Sequence, residues 1–127
     1  MRWIILTLFV LGCAKPDRIE ALALQDALEA HPEQYLVVDV RSDGEWTGKK
    51  GHVPGAHHEA WPGIKKTANT LPVEEGQTVV LVCYTGHRSR WALKWVREAY
   101  QDVEVIDLDG GMISWWMHEL PVEKESD

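Results

Sequence analysis

Val79-Val80-Leu81-Val82-Cys83-Tyr84-Thr85-Gly86-His87-Arg88-Ser89 is the stretch on which the rest of the chain is organised. Four apolar residues, three of them β-branched, predict a buried strand that stops at Cys83, and a helical pattern begins at about Ser89. A loop that turns from a strand into a helix N-terminus aims successive backbone N–H groups inward, and the helix adds partial positive charge at that end. An anion is favoured there. A cysteine over such a nest is favoured as the thiolate, which is the nucleophilic form. Gly86 supplies the left-handed or close-approach geometry that so tight a loop needs, and Arg88 places a full cation near its closing end. A cysteine ending a core strand is also a common inert packing residue. Gly, Arg and Ser at these offsets favour the chemical reading.

Outward from this stretch, the other elements follow from pattern. Ile19 to Leu22 reads as a short edge strand, and Leu24 to Ala30, with Leu24 and Leu28 four apart, as a helix ending before Pro32. Tyr35 to Val40 is a strand apolar on both faces, as in a parallel sheet covered by helices. Ser42 to Lys49 reads as a short helix capped by Ser42 or Asp43, with Glu45 in its first turn. His52 to His58 gives a rigid turn and a short strand, and Trp61 to Gln77 a polar connection with helical pieces. After the loop, Trp91, Leu93, Trp95, Val96 and Tyr100 predict a helix packed on the sheet. Val103 to Leu108 is the last clear strand, and Asp109-Gly110-Gly111 turns the chain into a final helix, Met112 to Glu119. The fold class is α/β, with a mainly parallel sheet of about five strands and helices on both faces.

Three motifs in order resemble one family. Cys-Tyr-Thr-Gly-His-Arg-Ser, from Cys83, is similar to the C-x-x-G-x-R-S active-site loop of single-domain rhodaneses. Val37-Val38-Asp39-Val40-Arg41 resembles the family's strand ending in D-x-R. Glu45-Trp46 followed by Gly51-His52-Val53-Pro54-Gly55-Ala56 resembles its E-[FYW]…G-H-[IV]-P-G-A segment. The resemblance covers about residues 19–123 and implies a rhodanese-like three-layer domain and a sulfurtransferase using no cofactor. It implies that Cys83 attacks the outer sulfur of a donor anion such as thiosulfate, holds it as a persulfide and passes it to a thiophilic acceptor, cyanide or a thiol. Backbone N–H groups of Tyr84, Thr85, Gly86, His87, Arg88 and Ser89 are then expected to stabilise the anionic sulfur. Arg88 is expected to attract the donor. Tyr84, Thr85 and His87 are expected at the mouth, where they set donor preference, with His87 either an acid for the leaving group or a rim contact.

Asp39 and Arg41 fall at the C-terminal end of their strand, the edge where open α/β sheets bind ligands. Arg41 or Glu45 positions the active-site loop or Arg88, or else forms a structural ion pair that pins loops. His52, His57 and His58 are close in sequence, but adjacent strand residues point to opposite faces and no cysteine or carboxylate lies at ligand spacing, so no metal is expected.

Two other classes stay open. Cysteine-based phosphatases and arsenate reductases use a similar C-x5-R loop. The six residues from Cys83 to Arg88 resemble the sulfur-sized loop of sulfurtransferases, whereas related phosphatases have one residue more. A persulfide carrier or binding module serving an unidentified protein acceptor is the other, and the seven tryptophans give it a possible surface.

The formal net charge of −7, with 20 acidic residues against 13 basic and no basic stripe, argues against nucleic acid as a partner. Trp3 to Leu11 is an apolar run too short to span a bilayer as a helix, which needs about 20 residues, and residues 1–12 read as a signal peptide. Its end, Val10-Leu11-Gly12-Cys13, resembles a bacterial lipobox, with cleavage before Cys13 and acylation of that cysteine. An ordinary signal peptide or a buried N-terminal strand is the other reading. The expected organisation is a tether over residues 13–18, a domain over 19–123 and a tail over 124–127. The expected location is periplasmic, with the lipid anchor the one membrane contact and Ala14 resembling an outer-membrane sorting signal. Without a lipid the protein would be secreted or soluble in the periplasm. Lipid on Cys13 would leave Cys83 as the one free thiol.

Overall fold

The computed structural model describes residues 17–125. The predicted signal peptide, Cys13 and the start of the tether lie outside the described residues. Five strands form one sheet: β1 (Arg18–Ile19), β2 (Tyr35–Asp39), β3 (His57–His58), β4 (Thr78–Val82) and β5 (Val105–Leu108). Their order across the sheet is β1-β5-β4-β2-β3, and every pairing is parallel. Five α-helices connect them: α1 (Ala21–Ala30), α2 (Asp43–Trp46), α3 (Ile64–Thr67), α4 (His87–Ala99) and α5 (Gly111–Met117).

The period of two along β4 divides the core. Val79, Leu81 and Cys83 face one side, where they meet Ile64, Ala68, Ala92, Leu93 and Val96 from α3, the turn that follows it and α4. Val80 and Val82 face the other, with Ala21, Leu24, Met112 and Trp115 from α1 and α5. β4 is therefore apolar on both faces because a helical layer covers each. Cys83 continues this alternation past the last paired residue, so its side chain lies on the α4 side at the carboxyl edge of the sheet.

Several boundaries differ from the sequence expectations, each for a local reason. Helix α4 starts at His87, two residues before the expected Ser89, because Gly86 sits at φ +103° as the N-cap and releases the chain directly into the helix. Trp91 was expected against the sheet but is 69 % exposed: the buried stripe is Ser89, Ala92, Leu93 and Val96, and Trp91 falls off that 3.6-residue period. The first strand is Arg18–Ile19, not Ile19 to Leu22, since the chain leaves β5 after two paired residues and α1 begins at Ala21 to bury Ala21 and Leu24. β2 ends at Asp39, one residue early, where its side chain is taken by Arg41. The last strand is Val105–Leu108, because Val103 belongs to the turn that leaves α4, its N–H bonding the Tyr100 carbonyl. α2 is shorter than Ser42 to Lys49, and α5 runs Gly111–Met117 because Glu119, at φ +52°, breaks the helical path. Near the C-terminus Glu123 pairs antiparallel with His52.

Candidate active site

The segment from Cys83 to Arg88 is held from three directions. From within, the Gly86 N–H donates to Cys83 Sγ at 2.9 Å, and Gly86 adopts the positive φ that brings it there. The next three residues, His87, Arg88 and Ser89, are the first turn of α4, whose N–H groups have no partner within the helix. An anionic sulfur at this point meets the helix's positive end. Among the expected Tyr84 to Ser89 amides, Gly86 is the one that reaches the thiol sulfur itself.

From the far side of the sheet, α5 clasps the loop. Met112 N–H donates to the Cys83 carbonyl at 2.8 Å and Ile113 N–H to the Tyr84 carbonyl at 3.1 Å. This close approach requires Gly111, where a Cβ would stand 2.4 Å from the Cys83 carbonyl oxygen and φ is +55°. The two glycines after Asp109 read in sequence only as a turn; the second task of Gly111, letting a helix touch the backbone of Cys83 itself, was not visible there.

From the α2 side comes Glu45. The Arg88 guanidinium makes two hydrogen bonds to its carboxylate, at 2.7 and 2.8 Å. The Arg88 bonds, with help from Ser42, hold the Glu45 carboxyl down from 4.5 to about 2, against the opposing effect of burial, and the same pair raises Arg88. Ser42 caps α2 and exchanges hydrogen bonds with Glu45, which fixes the carboxylate before Arg88 meets it. Of the two candidates for positioning Arg88, Glu45 is the one in contact. Arg41 is instead buried against Asp39, with Nε and Nη2 2.8 to 3.0 Å from its carboxylate and Nη2 also bonded to the Gly51 carbonyl.

The mouth is aromatic. Tyr84 is 37 % exposed and meets Trp116 edge to face at 5.8 Å; Trp116 also lies under Arg41 and Lys50. The Thr85 hydroxyl lies 3.0 Å from His87 Nδ1 on the exposed rim. Of the three histidines close in sequence, His52 and His58 stack on Trp46, at 3.5 and 4.8 Å, and His57 Nε2 lies 3.8 Å from Glu59. His52 is buried, with Nδ1 3.2 Å from the Val53 carbonyl, and His58 Nε2 donates to the Arg41 carbonyl.

Behind Cys83, Ser89 is joined by Asp107, a residue not among those the sequence singled out. Ser89 Oγ is 3.4 Å from Cys83 Sγ and 3.3 Å from Asp107 Oδ2, and Asp107 is 1 % exposed. Burial pushes the Asp107 carboxyl upward, while Arg90 and Ser89 oppose that shift. A signal was present: Asp107 is the single acid in Val105-Ile106-Asp107-Leu108, and its parity with Val105 places it on the α4 side. The roomier surface depressions lie elsewhere; one of about 400 Å³, lined by Arg97, Tyr100 and Ile106, sits toward the amino end of β5, away from the cysteine.

With this geometry in place, likeness to known proteins is informative. The family model for the Rhodanese-like domain matches residues 20–118. An uncharacterized protein of Synechocystis is 34 % identical over 110 residues, which are 86 % of this chain and 54 % of that protein, so the chain spans about half the length of this relative. A protein of Allochromatium vinosum named sulfurtransferase is 29 % identical over 106 residues, 84 % of this chain and 94 % of that one. The crystal structure of thiosulfate sulfurtransferase from Pseudomonas aeruginosa superposes with a TM-score of 0.71 and 28 % identity, covering 87 % of this chain and 20 % of that one.

Proposed function

Because the chain belongs to the rhodanese-like domain family, we propose that it is a sulfurtransferase that moves a sulfane sulfur from a donor such as thiosulfate to a thiol or cyanide through a Cys83 persulfide. The observation that carries this reading is the placement of Cys83 Sγ at the N-terminus of α4, 2.9 Å from the Gly86 N–H. The thiolate attacks the donor's outer sulfur, a new S–S bond forms, and the donor's own S–S bond breaks with its electron pair leaving as sulfite. The outer sulfur of the persulfide then lies within the amides of His87, Arg88 and Ser89. Cys83 is 1 % exposed, so an added sulfur, about 2.05 Å further out, is what an acceptor meets at the mouth. Six residues from Cys83 to Arg88 make a loop sized for sulfur, which speaks against a phosphatase.

A second reading is supported by the same burial and by the Glu45–Arg88 pair, which leaves Arg88 little charge to attract a free anion. In it the domain carries a persulfide for a protein acceptor and turns over small donors slowly. The lipobox-like stretch at Cys13 adds the proposal that this chemistry occurs in the periplasm on a lipid tether.

The test is thiosulfate:cyanide sulfurtransferase activity with intact-protein mass spectrometry, beside Cys83→Ser. Thiocyanate formation and a one-sulfur mass gain, both lost in the variant, are expected. Uptake of sulfur from a polysulfide without turnover would favour the carrier, and no sulfur gain from any donor would reject both readings.

A further inference from the structure

We propose that Asp107 is a positioning residue for Cys83: the carboxyl and the thiol share one proton through the Ser89 hydroxyl, and that proton rests on Asp107 while the sulfur acts as nucleophile. The proposal rests on the reading of Cys83 as the sulfur-accepting group.

The three side chains form a buried line. Cys83 Sγ, Ser89 Oγ and Asp107 Oδ2 are separated by 3.4 and 3.3 Å, and all three residues are at most 1 % exposed. Cys83 and Asp107 come from neighbouring strands, β4 and β5, and Ser89 from the first turn of α4, which lies over both. The Ser89 hydroxyl has one proton and a further acceptor in the Gly86 carbonyl at 3.3 Å, so which way it points depends on who else carries a proton. The two Ser89 Oγ contacts to oxygen, both 3.3 Å, are longer than an ideal O–H···O bond, as when one hydrogen is divided between two acceptors.

The step balances without an external reagent. In the resting form the Cys83 S–H donates to Ser89 Oγ, and the Ser89 O–H donates to the Asp107 carboxylate. On activation the Cys83 S–H bond and the original Ser89 O–H bond break, and one O–H bond forms on Ser89 and one on Asp107. Negative charge moves from carboxylate to sulfur, and nothing is oxidised or reduced. Ser89 now donates to the thiolate and Asp107 donates to Ser89, so each partner stays hydrogen-bonded in both forms. The proton remains on Asp107 while sulfur is taken up and passed on, because Cys83 returns as thiolate.

Opposing influences meet at this carboxyl: burial and Asp109 favour its protonated form, Arg90 and Arg18 its carboxylate. Arg90 Nη1, from α4, is 3.4 Å from Asp107 Oδ1; Arg18 is its register partner on β1; and Asp109 adds a like charge from the following turn. A small pocket of about 100 Å³, lined by Asp107, Gly86, Thr85, His87 and Arg90, opens beside it and offers a route for proton exchange with water.

Alkylation of Cys83 by iodoacetamide, followed by mass spectrometry from about pH 4 to about pH 9, tests the proposal without any sulfur donor. The wild-type rate is expected to rise in two steps, as befits a coupled pair, and Asp107→Asn to lose one of them. Superimposable single-step profiles would overturn it. A second measurement needs no variant to fold: the ¹³C carboxyl shift of Asp107 in wild-type protein, free and with Cys83 capped by methyl methanethiosulfonate. Its titration should collapse from two stages to one on capping, and a titration indifferent to the cap would overturn the proposal. Coupled titration in a protein that gains no sulfur would keep the shared proton and reject sulfur transfer; persulfide formation with a single-step profile would do the reverse.

Discussion

Glu45 and Trp46 are neighbours in a four-residue helix, yet they serve different clusters: the carboxylate reaches Arg88 in the active-site loop, and the indole stacks between His52 and His58. The acid stability of the protein should register the first of these. The folded-state value for Glu45 is depressed, so its contribution is complete above its ordinary 4.5 and is lost as pH falls toward about 2. Discounted for partial exposure, it is worth about 1 kcal/mol. Glu45→Gln should therefore lower the urea midpoint at neutral pH, and the gap to wild type should close near pH 2. The Asp39–Arg41 pair is a different case because it is buried. Arg41→Met leaves the Asp39 carboxylate without its partner and should destabilise the fold by about 3 to 5 kcal/mol, read from thermal or urea unfolding at pH 7. Neither pair's geometry was legible in sequence. Glu45 with Arg88 was one of the pairings that the sequence offered, beside Arg41 and a structural ion pair, but the choice among them depends on where α2 sits relative to β2 and α4.

At the scale of elements, β4 and its loop could be read from sequence because the signal is local: four apolar residues, a cysteine, and a glycine three places on. The clasp from α5 could not, because it joins backbone groups far apart in sequence and leaves no trace in side-chain pattern. Asp107 lies between these cases; an acid inside an apolar strand was visible, but its neighbour across the sheet required the strand order. The clasp makes a sharp prediction. Gly111→Ala introduces a Cβ into the space of the Cys83 and Tyr84 carbonyls at a backbone angle alanine disfavours, so the loop must shift by more than side-chain adjustment allows. Sulfur transfer should fall by about a hundredfold, the scale on which a misplacement of about 1 Å acts. Gly55→Ala, also at positive φ but in open space, serves as the control and should keep activity while losing some stability. Equal loss in both would mean the clasp has no special role.

For the molecule as a whole, charge governs approach. The described arginines Arg18, Arg41, Arg88, Arg90 and Arg97 each have a carboxylate partner, and the chain carries a formal net charge of −7. A dianionic donor is therefore repelled at long range and held only by short-range contacts with the loop. Screening should help it: kcat/KM for thiosulfate should rise about two- to threefold between low and physiological ionic strength, the reverse of electrostatic steering, while a neutral persulfide donor should be indifferent. A fall with salt would show that positive potential at the mouth outweighs the net charge. Composition revealed this balance in advance, but not that the loop's own arginine was already neutralised.

The clasp of α5 on the loop also bears on the order in which the protein is made. Cys83 precedes Gly111, Met112 and Ile113 in the chain, so the groups that clasp its loop are added after it, and β1 likewise waits for β5, the strand it pairs with. Until α5 packs, the Cys83 and Tyr84 carbonyls lack the two N–H donors that hold them in the folded protein. Competence to take up sulfur through Cys83, as proposed, would be acquired only once the last helix has docked, so a chain ending before α5 should lack it.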